Sequence, residues 1–191
     1  SFEFLLSQVQ YDTFGHYGFL VKLRAETVRD TGACISPMNS FLLLQGLETL
    51  SVRMDRHVAN AQAVAEFLEA HPKVGRVHYA GLPSHPSHAL ARKYLPKGPG
   101  AVLSFELASG SREEGKSFLE GLQLFSHLAN VGDARSLVIH PASTTHFRMD
   151  DAALKAAGIT PGTIRLSIGL EDADDLIEDL KRAFKVAEKA R

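Results

Sequence analysis

The stretch Thr163-Ile164-Arg165-Leu166-Ser167-Ile168, close to the end of the chain, decides the fold. Apolar Ile164, Leu166 and Ile168 alternate with Thr163, Arg165 and Ser167, which is the period of a strand with one face in a core and Arg165 on its polar face. Beyond Gly169 the pattern turns helical, with Leu176, Ile177, Leu180 and Phe184 on one stripe. Glu171, Asp172, Asp174 and Asp175 stand at the start of that helix, and Lys181, Arg182, Lys185, Lys189 and Arg191 toward its end. That order of charge complements the helix dipole.

Working back from this pair, Ala101, Leu103, Phe105 and Leu107 alternate with Val102, Ser104 and Glu106 as a second half-buried strand. Ser111 and Glu114 form a capping box, opening a helix that buries Phe118, Leu119, Leu122 and Phe125. Short strands are expected at 128–130 and 136–139 around the turn Val131-Gly132-Asp133, and a brief helix from Asp150 to Ala157 stops at Gly158. Val74 to Tyr79 reads as a strand and His88 to Tyr94 as a helix. Further upstream, Ser36-Pro37 reads as an N-cap with proline at the first helical position. Nothing but Gly46 interrupts the helical pattern from there to His71, so the span is one long bent helix or two meeting near Asp55. Leu42, Leu43, Leu47 and Leu50 give one apolar stripe; Ala61, Val64, Ala65 and Leu68 give another. Residues 1–35 read as irregular apart from a short helix, Phe19 to Asp30, stopped by Gly32. The architecture expected is α/β in the broad sense: a small sheet flanked by helices, an α+β domain preceded by a long helix.

The 191 residues correspond to one domain or slightly more. With 45% hydrophobic and 23% charged residues they hold enough apolar material for a core. Twenty-one basic against 22 acidic residues leave a net charge of −1, which gives no global handle on nucleic acid or an anionic membrane. The longest apolar run, Phe41 to Leu44, is far short of a membrane span. The opening Ser1 to Leu6 has no basic segment or small-residue cleavage site, so it is not expected to be a signal peptide. Cys34 stands alone, which excludes an internal disulfide framework, fits a reducing compartment and predicts a buried structural thiol.

Chemistry is sparsely marked. His85 with His88, and His140 with His146, lack the neighbouring carboxylates or cysteines of a metal site, and none is expected. There is no nucleophile elbow, Walker loop or dinucleotide fingerprint. Arg165 is the residue the pattern singles out. A guanidinium presented from a rigid strand suits bidentate capture of a carboxylate or phosphate; the plainer reading is an ion pair with Glu171 or Asp172.

Four separated motifs add to this. They are Gly32 to Leu50 followed by Arg53 and His57; Tyr79-Ala80-Gly81-Leu82-Pro83-Ser84; His140-Pro141-Ala142-Ser143-Thr144-Thr145-His146; and Ile164 to Asp172. In this order they resemble the C-terminal half of the Cys/Met-metabolism pyridoxal-phosphate enzymes over about residues 12–191. That family includes the cystathionine synthases and lyases, methionine γ-lyase and the O-acetylhomoserine sulfhydrylases. The resemblance implies a fold-type I transferase. Residues 1–55 would be the tail of the large cofactor-binding domain with the linking helix, and residues 56–191 the small α+β domain. It further implies that Arg165 binds the substrate α-carboxylate with help from Asn130. Asn at that position, in Phe125 to Asp133, is the form seen in O-acetylhomoserine sulfhydrylases, where lyases usually have serine.

The activity implied is replacement of the acetate of O-acetylhomoserine by sulfide, giving homocysteine. A methionine γ-lyase, a cystathionine γ-synthase or a non-catalytic binding or assembly domain are the alternatives. The cofactor implied is pyridoxal 5′-phosphate, and the implied assembly a cytoplasmic homotetramer without nucleic acid or membrane. None of the nine lysines sits in the family's Schiff-base context. No catalytic or cofactor-binding residue is therefore expected here, and this segment by itself is expected to be inactive, as a C-terminal fragment of a longer enzyme.

Overall fold

A computed structural model describes residues 8–189. The opening Ser1 to Leu6, and Arg191 at the end of the basic series, lie outside the described residues. The chain divides into two compact units, Ser1–Glu48 and Thr49–Arg191.

In the first unit, the expectation of an irregular segment before residue 35 is corrected. Helix α1 (Gln8–Phe14), a 3₁₀ turn (Gly15–Tyr17), α2 (Gly18–Lys22), a π-helical stretch (Leu23–Val28) and α3 (Arg29–Thr31) follow one another without a gap. No proline interrupts this run. Gly15, at φ +53°, sits at the 3₁₀ junction, which is why glycine punctuation misrepresented the segment. Gly32, left-handed at φ +64°, stops the run as expected, its N–H donating to Val28 O at 2.9 Å. Helix α4 (Pro37–Glu48) begins under the predicted cap, with Asn39 N–H donating to Ser36 Oγ at 3.2 Å. Cys34 is exposed rather than buried, because the linker between α3 and α4 lies at the surface. Met38, Phe41, Leu42, Leu43, Leu44 and Leu47 of α4 are also exposed.

The second unit opens with α5 (Leu50–Ala70), so the long helical span is two helices parting at Thr49 rather than near Asp55. Next come β1 (Val74–His78), α6 (His88–Tyr94), β2 (Val102–Leu107) and α7 (Arg112–Gly121). They are followed by β3 (Ser126–His127), β4 (Leu137–Ile139), α8 (Asp151–Ala156), β5 (Thr163–Ser167) and α9 (Ala173–Lys189). The five described strands make one mixed sheet in the order β1-β2-β5-β4-β3, antiparallel except for β3 beside β4. Strand β3 replaces the strand expected at 128–130.

The core lies on one face of the sheet. Leu103, Phe105, Leu107, Ile164 and Leu166 meet Val64 and Leu68 of α5, Phe118 of α7, and Leu176, Leu180 and Phe184 of α9. Phe118 meets Phe184 edge-on, ring centroids 4.8 Å apart. The predicted Ser111 cap forms, its Oγ accepting from Glu114 N–H at 3.2 Å, and Asp150 caps α8 with Oδ1 accepting from Ala153 N–H at 2.8 Å. Asp179, buried on α9, accepts from the N–H groups of Gln123, Leu124 and Phe125 and pairs with Arg182 at 2.8 Å. The fold is thus α/β, and it puts β5 in the middle of the sheet with its polar positions turned away from the helices.

Candidate substrate-carboxylate site

Strand β5 presents Arg165 between the fully buried side chains of Ile164 and Leu166. Register places His78 opposite Ser104, Ser104 opposite Arg165, and Arg165 opposite Ile139, so these four residues form one row across β1, β2, β5 and β4. With strands about 4.8 Å apart, the backbones of His78 and Arg165 stand roughly 10 Å from each other. A backbone in mid-sheet cannot shift without breaking ladders on both sides, so the base of the guanidinium is fixed.

The two residues singled out from the sequence come together. Arg165 Nη2–H donates to the backbone oxygen of Asn130 at 3.3 Å. Asn130 Oδ1 accepts from Val131 N–H at 2.9 Å, which leaves its Nδ2 amide to act as the donor. Gly132, at φ +78°, lets the chain reverse here. Its N–H donates to Ser167 Oγ at 3.1 Å, so the turn is held to β5 at two points.

Neither acid suggested as a partner for Arg165 takes that role. Glu171 accepts from Ser136 N–H at 2.7 Å and from Ser136 Oγ–H at 2.9 Å. Asp172 faces Arg56 at 3.5 Å. Among the described residues no carboxylate lies within ion-pair distance of Arg165. A half-buried guanidinium with most of its five N–H donors uncommitted is an anion receptor.

The backbone just past Arg165 is clamped from α5. His57 Nδ1–H donates to Ile168 O at 2.6 Å, and Asn60 Nδ2–H to Gly169 O at 3.0 Å and Glu171 O at 2.7 Å. Gly169 leaves no room for a side chain: a Cβ there would lie 2.5 Å from both Ala134 O and Ser136 N. His57 and Asn60 are buried in this role.

A cavity of about 310 Å³ opens beside Arg165, with His78, Ser104, Thr145, His146 and Thr163 among its polar lining. His78, in this lining, has its Nε2 2.8 Å from Glu106 Oε1. The residues of this lining include no lysine, so they do not fit as the anchor of pyridoxal phosphate, whose aldehyde needs an amine. What they can do is receive and orient a carboxylate.

The histidine pairs do not assemble a metal centre. His140 is fully buried, its Nε2–H donating to Pro161 O at 2.6 Å and its Nδ1 accepting from Ser143 Oγ–H at 2.8 Å. Burial holds its pKa below the ordinary value, and Arg112 acts in the same direction. Among the described residues no group of three metal-ligating side chains occurs. Sequence reasoning missed Ser104, Ser167 and the His57–Asn60 clamp. Only cross-strand register and a turn remote in sequence bring them to the site, although His57 falls within a motif already noted.

Comparison with known proteins fits this geometry. The family model for Cys/Met metabolism PLP-dependent enzymes matches residues 14–185. Homocysteine synthase of Schizosaccharomyces pombe is 51% identical over 176 residues, covering 92% of this chain and 41% of the relative. O-acetyl-L-homoserine sulfhydrylase of Leptospira meyeri is 49% identical over 179 residues, with 92% and 40% covered. A Campylobacter jejuni crystal structure described as an O-acetylhomoserine (thiol)-lyase superposes with a TM-score of 0.80 at 46% identity, over 91% of this chain and 41% of that one. It carries an N′-pyridoxyl-lysine-5′-monophosphate at its position 205. The chain therefore spans about two fifths of the length of the relatives it matches.

Proposed function

The chain belongs to the Cys/Met-metabolism PLP-dependent enzymes, and on that premise we propose that the whole protein is an O-acetylhomoserine sulfhydrylase to which these residues contribute the substrate-carboxylate site. In the reaction the Cγ–O bond of O-acetylhomoserine breaks, acetate leaves with the bonding pair, and a Cγ–S bond to sulfide forms, giving homocysteine for methionine biosynthesis. The observation that carries the reading is the uncommitted guanidinium of Arg165 beside Asn130, on the central strand of a sheet whose relatives are named as sulfhydrylases and homocysteine synthases.

Arg165 is assigned the α-carboxylate, gripped through the planar fork, and Asn130 a second donor through Nδ2. Holding the carboxylate fixes Cα and the direction of the side chain, so the γ-carbon is presented in one orientation instead of many. Residues 1–55 are assigned to the cofactor-binding domain and its linking helix, and residues 56–191 to the small domain. Pyridoxal phosphate is assigned to residues of the whole protein other than those described here. A cytoplasmic homotetramer completes the proposal; among the described residues no helix is long and apolar enough to cross a membrane.

The test is product analysis with the whole protein loaded with pyridoxal phosphate. Homocysteine formed from O-acetylhomoserine and sulfide supports the sulfhydrylase. Release of ammonia and a 2-oxo acid without sulfide would instead make it a γ-lyase, and preference for cysteine as acceptor a cystathionine γ-synthase.

A further inference from the structure

On the reading that Arg165 receives the substrate carboxylate, we propose that Ser167 is a positioning residue for that site, holding the 130–132 turn in register with the guanidinium. Arg165 and Ser167 lie two residues apart on one face of β5, and each reaches the same turn. Arg165 Nη2–H donates to Asn130 O at 3.3 Å, and Gly132 N–H donates to Ser167 Oγ at 3.1 Å.

The two ends of the second bond differ in kind. Ser167 is 2% exposed and sits in the ladder between Val102 and Leu137, so its backbone is as fixed as the sheet itself and burial confines its hydroxyl. The turn is exposed at Asn130, Val131 and Gly132. Gly132 has a left-handed backbone with nothing within 4 Å of where a Cβ would stand. Glycine at such a place has the widest choice of conformations, and local packing does not choose among them. Ser167 supplies the restraint that packing omits.

What the restraint governs is Asn130. Its Oδ1 is committed to Val131 N–H, so the direction of Nδ2 follows the turn backbone and no independent partner. Released from Ser167, the turn would carry the Nδ2 donor away from the fork of Arg165, while Arg165 itself stayed in place. The loss would fall on binding of the carboxylate, whereas the bond-making atoms lie elsewhere on the substrate.

The experiment uses the whole, pyridoxal-phosphate-loaded enzyme, with steady-state kinetics on O-acetylhomoserine for Ser167→Ala, Ser167→Thr, Arg165→Lys and the double change Arg165→Lys with Ser167→Ala. Ser167→Ala is expected to raise KM about five- to tenfold with kcat within about twofold, the effect of one hydrogen bond lost from a binding site. Ser167→Thr, which keeps the acceptor oxygen, is expected to restore most of the KM. The double variant is expected to cost less than the product of the single effects, because both changes disable one receptor. Should Ser167→Ala impair folding, Ser167→Cys keeps the volume with a poor acceptor and serves in its place.

An unchanged KM in Ser167→Ala, with a raised KM in Arg165→Lys, overturns the role of Ser167 and leaves the carboxylate site standing. Equal falls in kcat for Ala and Thr overturn it too, as a packing effect. An unchanged KM in Arg165→Lys overturns the carboxylate reading, and the role of Ser167 goes with it.

Discussion

Replacing Arg165 with Lys keeps the charge and discards the planar fork. At about 1.5–3 kcal/mol for a charge-assisted contact, kcat/KM of the whole enzyme for O-acetylhomoserine is expected to drop by one or more orders of magnitude. The melting temperature is expected to stay nearly unchanged, since no carboxylate partner among the described residues is orphaned. A lysine variant of full efficiency would remove Arg165 from the carboxylate. Asn130→Ala is expected to raise KM, and to combine with Arg165→Lys at less than the sum of the two costs. Asn130→Ser keeps a short donor and is expected to retain much of the activity; strict additivity would mean that Asn130 only shapes its turn. Both residues were legible in the sequence, Arg165 from the alternation around it and Asn130 from the resemblance. Ser167 was not. Alternation put Thr163 and Ser167 on the polar face with Arg165, but both are buried, because residues remote in sequence cover that face.

Caps were the most legible elements, because Ser36 and Ser111 act on N–H groups three residues ahead and need nothing remote. Ser111→Ala is expected to destabilise the protein by about 1 kcal/mol in urea unfolding, by freeing one N–H at the start of α7. Less legible was the closeness of α7 to α9. Gly121 is the buried last residue of α7. In the fold a Cβ there would stand 2.7 Å from Ala183 Cα and 2.9 Å from Val186 Cβ. Gly121→Ala would gain helix propensity in isolation. Here it is expected to cost about 1–3 kcal/mol, because the backbone of α9 has to move. An alanine variant of unchanged urea midpoint would show that the two helices separate freely. The strand expected at 128–130 was misjudged for a related reason: two or three residues carry no period, and β3 is defined only by its bonds to β4.

For the whole molecule, two histidines contribute to the response to acid. Burial lowers the pKa of both His71, stacked on Phe184 at 3.9 Å, and His140, enclosed beneath Gly115. In the unfolded chain each takes up its proton near 6.5; in the folded one only at lower pH. Their contribution to stability is therefore full above about pH 6.5 and is lost as the pH drops from there toward the folded pKa values. The expected observation is a urea midpoint that declines from pH 7 to 5, less steeply in His71→Phe; a flat profile would contradict it. The 191-residue chain produced by itself is expected to sediment above its 20.8 kDa, because Phe41, Leu42, Leu43, Leu44 and Leu47 expose apolar surface. Sedimentation as a monomer would contradict that expectation. Strand order has a consequence in time as well as space. Of the five described strands, β5 is the last to leave the ribosome, yet it fills the central slot between β2 and β4. A nascent chain holding β1 to β4 has the antiparallel pair of β1 and β2 and a separate two-strand parallel ribbon, with the gap between them lined by unpaired backbone. Synthesis thus leaves two strand edges open until Thr163–Ser167 emerges, and a chaperone that shields them would act before that moment.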